Sequence, residues 1–139
     1  MNDEQRAMYT AAISLRNTEV TLRWTRTQLF FLIHSAGLSF VVTQFKEGSA
    51  VRFGSCLLGL VLVYLWWRLT MRIQHWVIYW NSKLAALERL EPIQEIRIFG
   101  GREYIHATGG IGTHDIILGL ISVFLVAWLS LAITALAAL

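Results

Sequence analysis

The sequence has 139 residues, 55% of them apolar and only 15% charged, with one proline and one cysteine. A water-soluble domain of this length could not cover so much apolar surface, so the composition points to the membrane. The net charge of +3 is small; it acts through its clustering beside apolar runs and forms no nucleic-acid-binding stripe.

Residues 1–26 contain no proline or glycine and place Met8, Ala12, Leu15 and Leu22 at helical spacing, which predicts a cytoplasmic amphipathic helix. Asp3, Glu4, Arg6, Arg16, Glu19, Arg23 and Arg26 precede the first apolar run. That charge density is foreign to a cleaved signal peptide, so the helix is expected to run straight into a first span. Crossing roughly 30 Å of hydrocarbon takes about 20 apolar residues, and three stretches qualify: Thr27–Phe45, Val51–Leu69 and Ile116–Leu139, the last entered from Asp115. The third contains no charge beyond Asp115, with Ser122, Ser130 and Thr134 as its polar side chains. The turn "KEGSAVR" after Phe45 is too short for a domain.

From Val51 the chain meets no proline until Pro92, so span 51–69 is expected to continue as one helix of about 40 residues, roughly 60 Å long at 1.5 Å per residue. Only about half of that fits a bilayer. In the excess, residues 70–92, Ile73, Trp76, Trp80, Leu84 and Leu87 continue from Leu69 at three- and four-residue steps. Such a stripe needs a partner, and a second copy of the chain is the economical one. Asn81, Lys83, Glu88 and Glu91 would form the polar collar of that seam, by ion pairs between copies or as a solvated face. The alternative is a helix lying on the membrane surface. Trp66 and Trp67, next to Arg68, are expected at the membrane interface.

Lys and Arg number four before the first span, two in the hairpin and six from Arg68 to Asp115. The positive-inside rule therefore puts the N-terminus and the segment 68–115 in the cytoplasm and the C-terminus outside. The single Cys56 permits no intrachain disulfide. Its place in the second span fits a small core residue.

His34 is an ionisable group within a span, and such groups face a bundle interior or a water-filled path. It either lines a pore, where it could gate with pH, or hydrogen-bonds a neighbouring helix. If a lumen exists, His34, Ser35, Ser39, Thr43 and Gln44 are the candidates to line it. Ser35 with Ser39, and Ser55 with Gly59, lie four apart and suit close helix packing.

Nothing in the sequence reads as catalytic: no Ser or Cys adjoins a base, and the paired glycines 100–101 and 109–110 lack the context of a phosphate loop. The Arg72–His75 and Arg102–His106 spacings fall short of the Arg-x4-6-His signature of HEPN ribonucleases. Glu103, His106, His114 and Asp115 have donor chemistry, but glycine-rich loop composition accounts for them equally. No cofactor and no metal centre is expected.

The stretch "YWNSKLAALERLEP" carries a resemblance. Tyr79, Trp80, Asn81, Lys83, Leu84, Leu87, Glu88, Leu90 and Pro92, in a chain ordered as charged helix, two close spans, long helix, cytoplasmic loop and last span, resemble the RipA-type family of small octameric bacterial inner-membrane proteins. The membrane accessory protein of type VI-B CRISPR systems is related to that family. The resemblance implies a homo-oligomeric pore that perturbs the bacterial inner membrane in anti-phage defence, with itself, the lipid bilayer and a defence-system protein as partners. Two other roles stay open: a structural or regulatory subunit of a larger membrane complex, and a membrane-anchored sensor that binds a ligand through the loop 93–114. The expected fold is an all-α membrane protein with three transmembrane helices (27–45, 51–69, 115–139), an N-terminal helix and a long cytoplasmic extension, assembled as a homo-oligomer.

Overall fold

The computed structural model describes residues 3–46, 49–89 and 112–139. Three helices account for nearly all of them: α1 (Asp3–Gln44), α2 (Ala50–Glu88) and α3 (Thr113–Ala137). No strand occurs among the described residues.

The helix boundaries follow from local chemistry. Asp3 and Glu4 occupy the first turn of α1, where carboxylates offset the positive end of the helix dipole. Ser49 caps α2: its Oγ accepts the Arg52 backbone N–H at 3.2 Å, and its carbonyl accepts that of Phe53 at 3.2 Å. With no proline to interrupt it, α2 runs unbroken to Glu88, and Pro92 lies outside the described residues. α3 starts at Thr113, two residues before the expected boundary.

The chain divides into two compact units, and both α1 and α2 contribute to each. The second unit comprises Thr25–Thr70 and His114–Leu139. Its core is built from Val41 of α1, Cys56, Val63 and Trp66 of α2, and Ile117, Ile121, Phe124, Trp128 and Ala132 of α3. The three- and four-residue steps keep one face of each helix turned inward. The exterior is apolar as well: Leu32, Leu58, Val123 and Ile133 are each more than 60% exposed. That inverts the arrangement of a water-soluble protein, and α2 and α3 are long and apolar enough to cross a membrane.

One expectation is corrected here. Trp66 is buried at 1% exposure, whereas Trp67 is exposed. Consecutive residues point about 100° apart on a helix, and Trp66 falls on the inward stripe with Val63 and Thr70. Of the pair, Trp67 alone has the exposure that an interfacial position needs.

The first unit holds α1 up to Trp24 and α2 from Met71. Among the described residues, Ala12, Ile73, Val77 and Leu84 are its buried apolar side chains, and Arg23 and Glu88 are also buried. The expected amphipathic face of α1 is divided: Ala12 turns inward, while Met8, Leu15 and Leu22 are 55%, 50% and 36% exposed. The inward face instead carries polar side chains that α2 satisfies.

Candidate functional site

In the second unit, His34 is fully buried. The indole N–H of Trp128 donates to its Nδ1 at 3.0 Å. With Nδ1 accepting, the neutral ring carries its proton on Nε2, which is buried with no hydrogen-bond partner among the described residues. Aromatic rings enclose it. Trp66 stacks on His34 with centroids 5.5 Å apart and an interplanar angle of 17°, Phe30 stacks on Trp66 at 5.5 Å, and Phe124 lies 5.2 Å from the imidazole. A polar group in such surroundings is stabilised only by its bond, so His34 ties α1 to α3 across the bundle.

Glycine makes room for this contact. A Cβ at Gly59 would sit 2.4 Å from the Trp128 ring, and one at Gly37 would sit 3.5 Å from it. The small-residue position at Gly59 thus admits a tryptophan from α3. Ser55, four residues earlier, donates to the Val51 carbonyl at 2.8 Å.

In the first unit, α1 and α2 are joined by a ladder of polar rungs. The Tyr9 hydroxyl donates to Glu88 Oε1 at 2.8 Å, Arg16 Nε to Asn81 Oδ1 at 3.3 Å, and Arg23 Nη2 to Gln74 Oε1 at 2.9 Å. Each step of seven residues forward on α1 is matched by seven back on α2, the signature of an antiparallel pair in heptad register. Burial, the hydrogen bond to Glu88 and the Glu88 charge push the Tyr9 hydroxyl up to about 12. Burial, and then the nearby Arg16, lower the Arg23 guanidinium from its ordinary value, against a smaller opposing effect of Glu19.

The candidate lumen residues fall on different sides of α1. His34 faces the core, Ser35 is half-buried, and Ser39, Thr43 and Gln44 are exposed. The Thr43 hydroxyl donates to the Ser39 carbonyl at 2.8 Å. The candidate seam divides in the same way. Ile73 and Leu84 are buried within the chain, Trp80 and Leu87 are half-buried, and Trp76 is 45% exposed. Of the polar collar, Asn81 and Glu88 accept from the chain's own α1, Lys83 stands 5.5 Å from the Tyr79 ring centre, and Glu91 lies outside the described residues. Met8, Ala12, Tyr79, Trp80, Lys83 and Leu87 border a groove of about 540 Å³ on this unit. The loop 93–114, save its last three residues, and with it the expected ligand site, also lies outside the described residues.

Reading α1 alone left the ladder unseen, because Tyr9, Arg16 and Arg23 look like a solvated face. Their seven-residue recurrence, mirrored by Gln74, Asn81 and Glu88, was the available signal.

The family model of the octameric membrane protein family (8xMP) matches residues 6–137. No curated protein and no solved structure matches the chain.

Proposed function

The chain belongs to the octameric membrane protein family, and from that membership we propose that it forms a homo-oligomeric pore, or membrane-perturbing effector, in the bacterial inner membrane. The observation that carries the reading is a family match extending over nearly the whole chain. We infer a role in anti-phage defence from the resemblance to the RipA-type proteins and their CRISPR-associated relative. The role is non-catalytic, in keeping with a sequence in which no nucleophile adjoins a base.

In this reading 27–45 of α1 crosses the bilayer beside α2 and α3. Supporting it, Leu29, Phe31, Leu32, Ile33, Phe40 and Val42 are all exposed on the unit that carries α3 and the first part of α2. Lipid is the solvent that tolerates such a surface. The N-terminus is then cytoplasmic and the C-terminus outside, the orientation that the Lys and Arg distribution favours.

Purified protein in detergent should run as one large homo-oligomer by native mass spectrometry, and liposomes containing it should leak ions. A monodisperse monomer would sink the proposal. An oligomer that never leaks under any trigger would leave a scaffold within a larger complex as the better account.

A further inference from the structure

The exposed side of α1 in the second unit is not uniformly apolar. Gln28, Ser39 and Thr43 are exposed and Ser35 is half-buried, and their steps of seven, four and four residues align them along one face. At 100° per residue, Ser39 lies about 140° round the helix from His34, so this file looks away from the core. Its flanks are apolar. Phe31 and Val42 border one side, and Leu29, Ile33 and Phe40 the other, all more than 40% exposed. α2 and α3 carry hydroxyls too, exposed at Tyr64, Ser122, Ser130 and Thr134 and half-buried at Ser55, but these are spread more widely around their helices. Ser55, Ser122 and Thr134, like Thr43, return a bond to their own helix.

Hydroxyl and amide groups aligned across the depth of a membrane unit are costly against hydrocarbon and favourable against water. An octameric ring supplies one place for water at that depth, the axis around which equivalent faces converge. The file is broken once. Leu32, 64% exposed, occupies the position between Gln28 and Ser35. A ring of leucines in an otherwise polar passage is a constriction that closes by dewetting.

We propose that the α1 face of Gln28, Ser35, Ser39 and Thr43 lines the water-filled passage of the assembled protein, with Leu32 as its gate. The inference rests on the pore reading above and specifies it. No charged side chain interrupts the face, so the passage admits small hydrated ions of either sign without strong selection.

The test uses the full-length protein in liposomes, with potassium and chloride efflux as readout and native mass spectrometry confirming assembly of each variant. Cys56 is fully buried, so an added cysteine can be addressed by a charged, membrane-impermeant thiol reagent. Modification of Ser39→Cys, and separately of Ser35→Cys, should cut efflux about five-fold, while Phe40→Cys on the flank changes it less than about two-fold. Leu32→Ser should raise resting efflux about ten-fold for both ions. Efflux that is insensitive to modification at both serines and unchanged by Leu32→Ser overturns the lining and leaves the pore. Absence of efflux from the wild-type and from every assembled variant overturns the pore and the lining together.

Discussion

Trp128 and His34, separated by 94 positions in the chain, are joined by one hydrogen bond of 3.0 Å inside a cage of aromatic rings. The indole donates and the imidazole Nδ1 accepts, so the bond fixes both the docking of α3 on α1 and the tautomer of the histidine.

Trp128→Phe keeps an aromatic ring but removes the donor, leaving Nδ1 buried and unsatisfied. Thermal unfolding in detergent should report a loss of about 1–3 kcal/mol. Nitrogen NMR of the wild-type ring should find the proton on Nε2; a proton on Nδ1 would contradict the assigned bond.

Gly59→Ala places a methyl carbon where the Trp128 ring stands, 2.4 Å away. The ring must shift, and overpacking of this kind costs about 1–3 kcal/mol. Gly54→Ala and Gly119→Ala meet nothing within 4 Å and should be neutral or gain up to about 1 kcal/mol from helix propensity. Equal effects at all three glycines would remove the special status of Gly59.

The Tyr9–Glu88 rung predicts an alkaline dependence of stability. Tyr9 is raised from its ordinary value of 10.0 to about 12 in the folded chain. Its contribution is therefore fully present below pH 10.0 and is lost as the pH climbs through about 12. The difference between phenolate absorbance titrations of wild-type and Tyr9→Phe isolates this side chain. A midpoint near 10 would mean that the rung does not form.

The divided seam separates folding from assembly. Leu84 is fully buried within the chain, so Leu84→Ala should destabilise the α1–α2 pair by about 2–5 kcal/mol. Trp76, 45% exposed, and half-buried Trp80 face outward; replacing both by alanine should shrink the oligomer while helicity by circular dichroism is retained. An intact oligomer in that double variant would place the interface elsewhere.

Much of this architecture was readable from residues alone because its determinants are local. The lack of any proline before Pro92 dictates unbroken helices, "KEGSAVR" marks the turn between the first two, and the charge-free run after Asp115 can hardly be other than an apolar helix. His34 announces itself as a group that needs a partner. What stayed hidden depends on pairing. Nothing around Trp128 in the sequence says that its indole meets a histidine on another helix. Trp66 and Trp67 differ only by 100° of helix rotation, which composition cannot resolve. The ladder escaped because each helix alone offers polar residues that water could satisfy equally well. Only the matching of two seven-residue recurrences running in opposite directions identifies them as mutual partners.

The distance in sequence between His34 and Trp128 also gives the protein a history. At synthesis rates of about 5–20 residues per second, the indole emerges roughly 5–20 s after the imidazole it will serve. The α1–α2 pair, closed by a short turn and held by its own rungs, can form in that interval. The histidine then waits with an unmet acceptor until α3 arrives. Truncation before Trp128 therefore strands a polar group inside the nascent bundle.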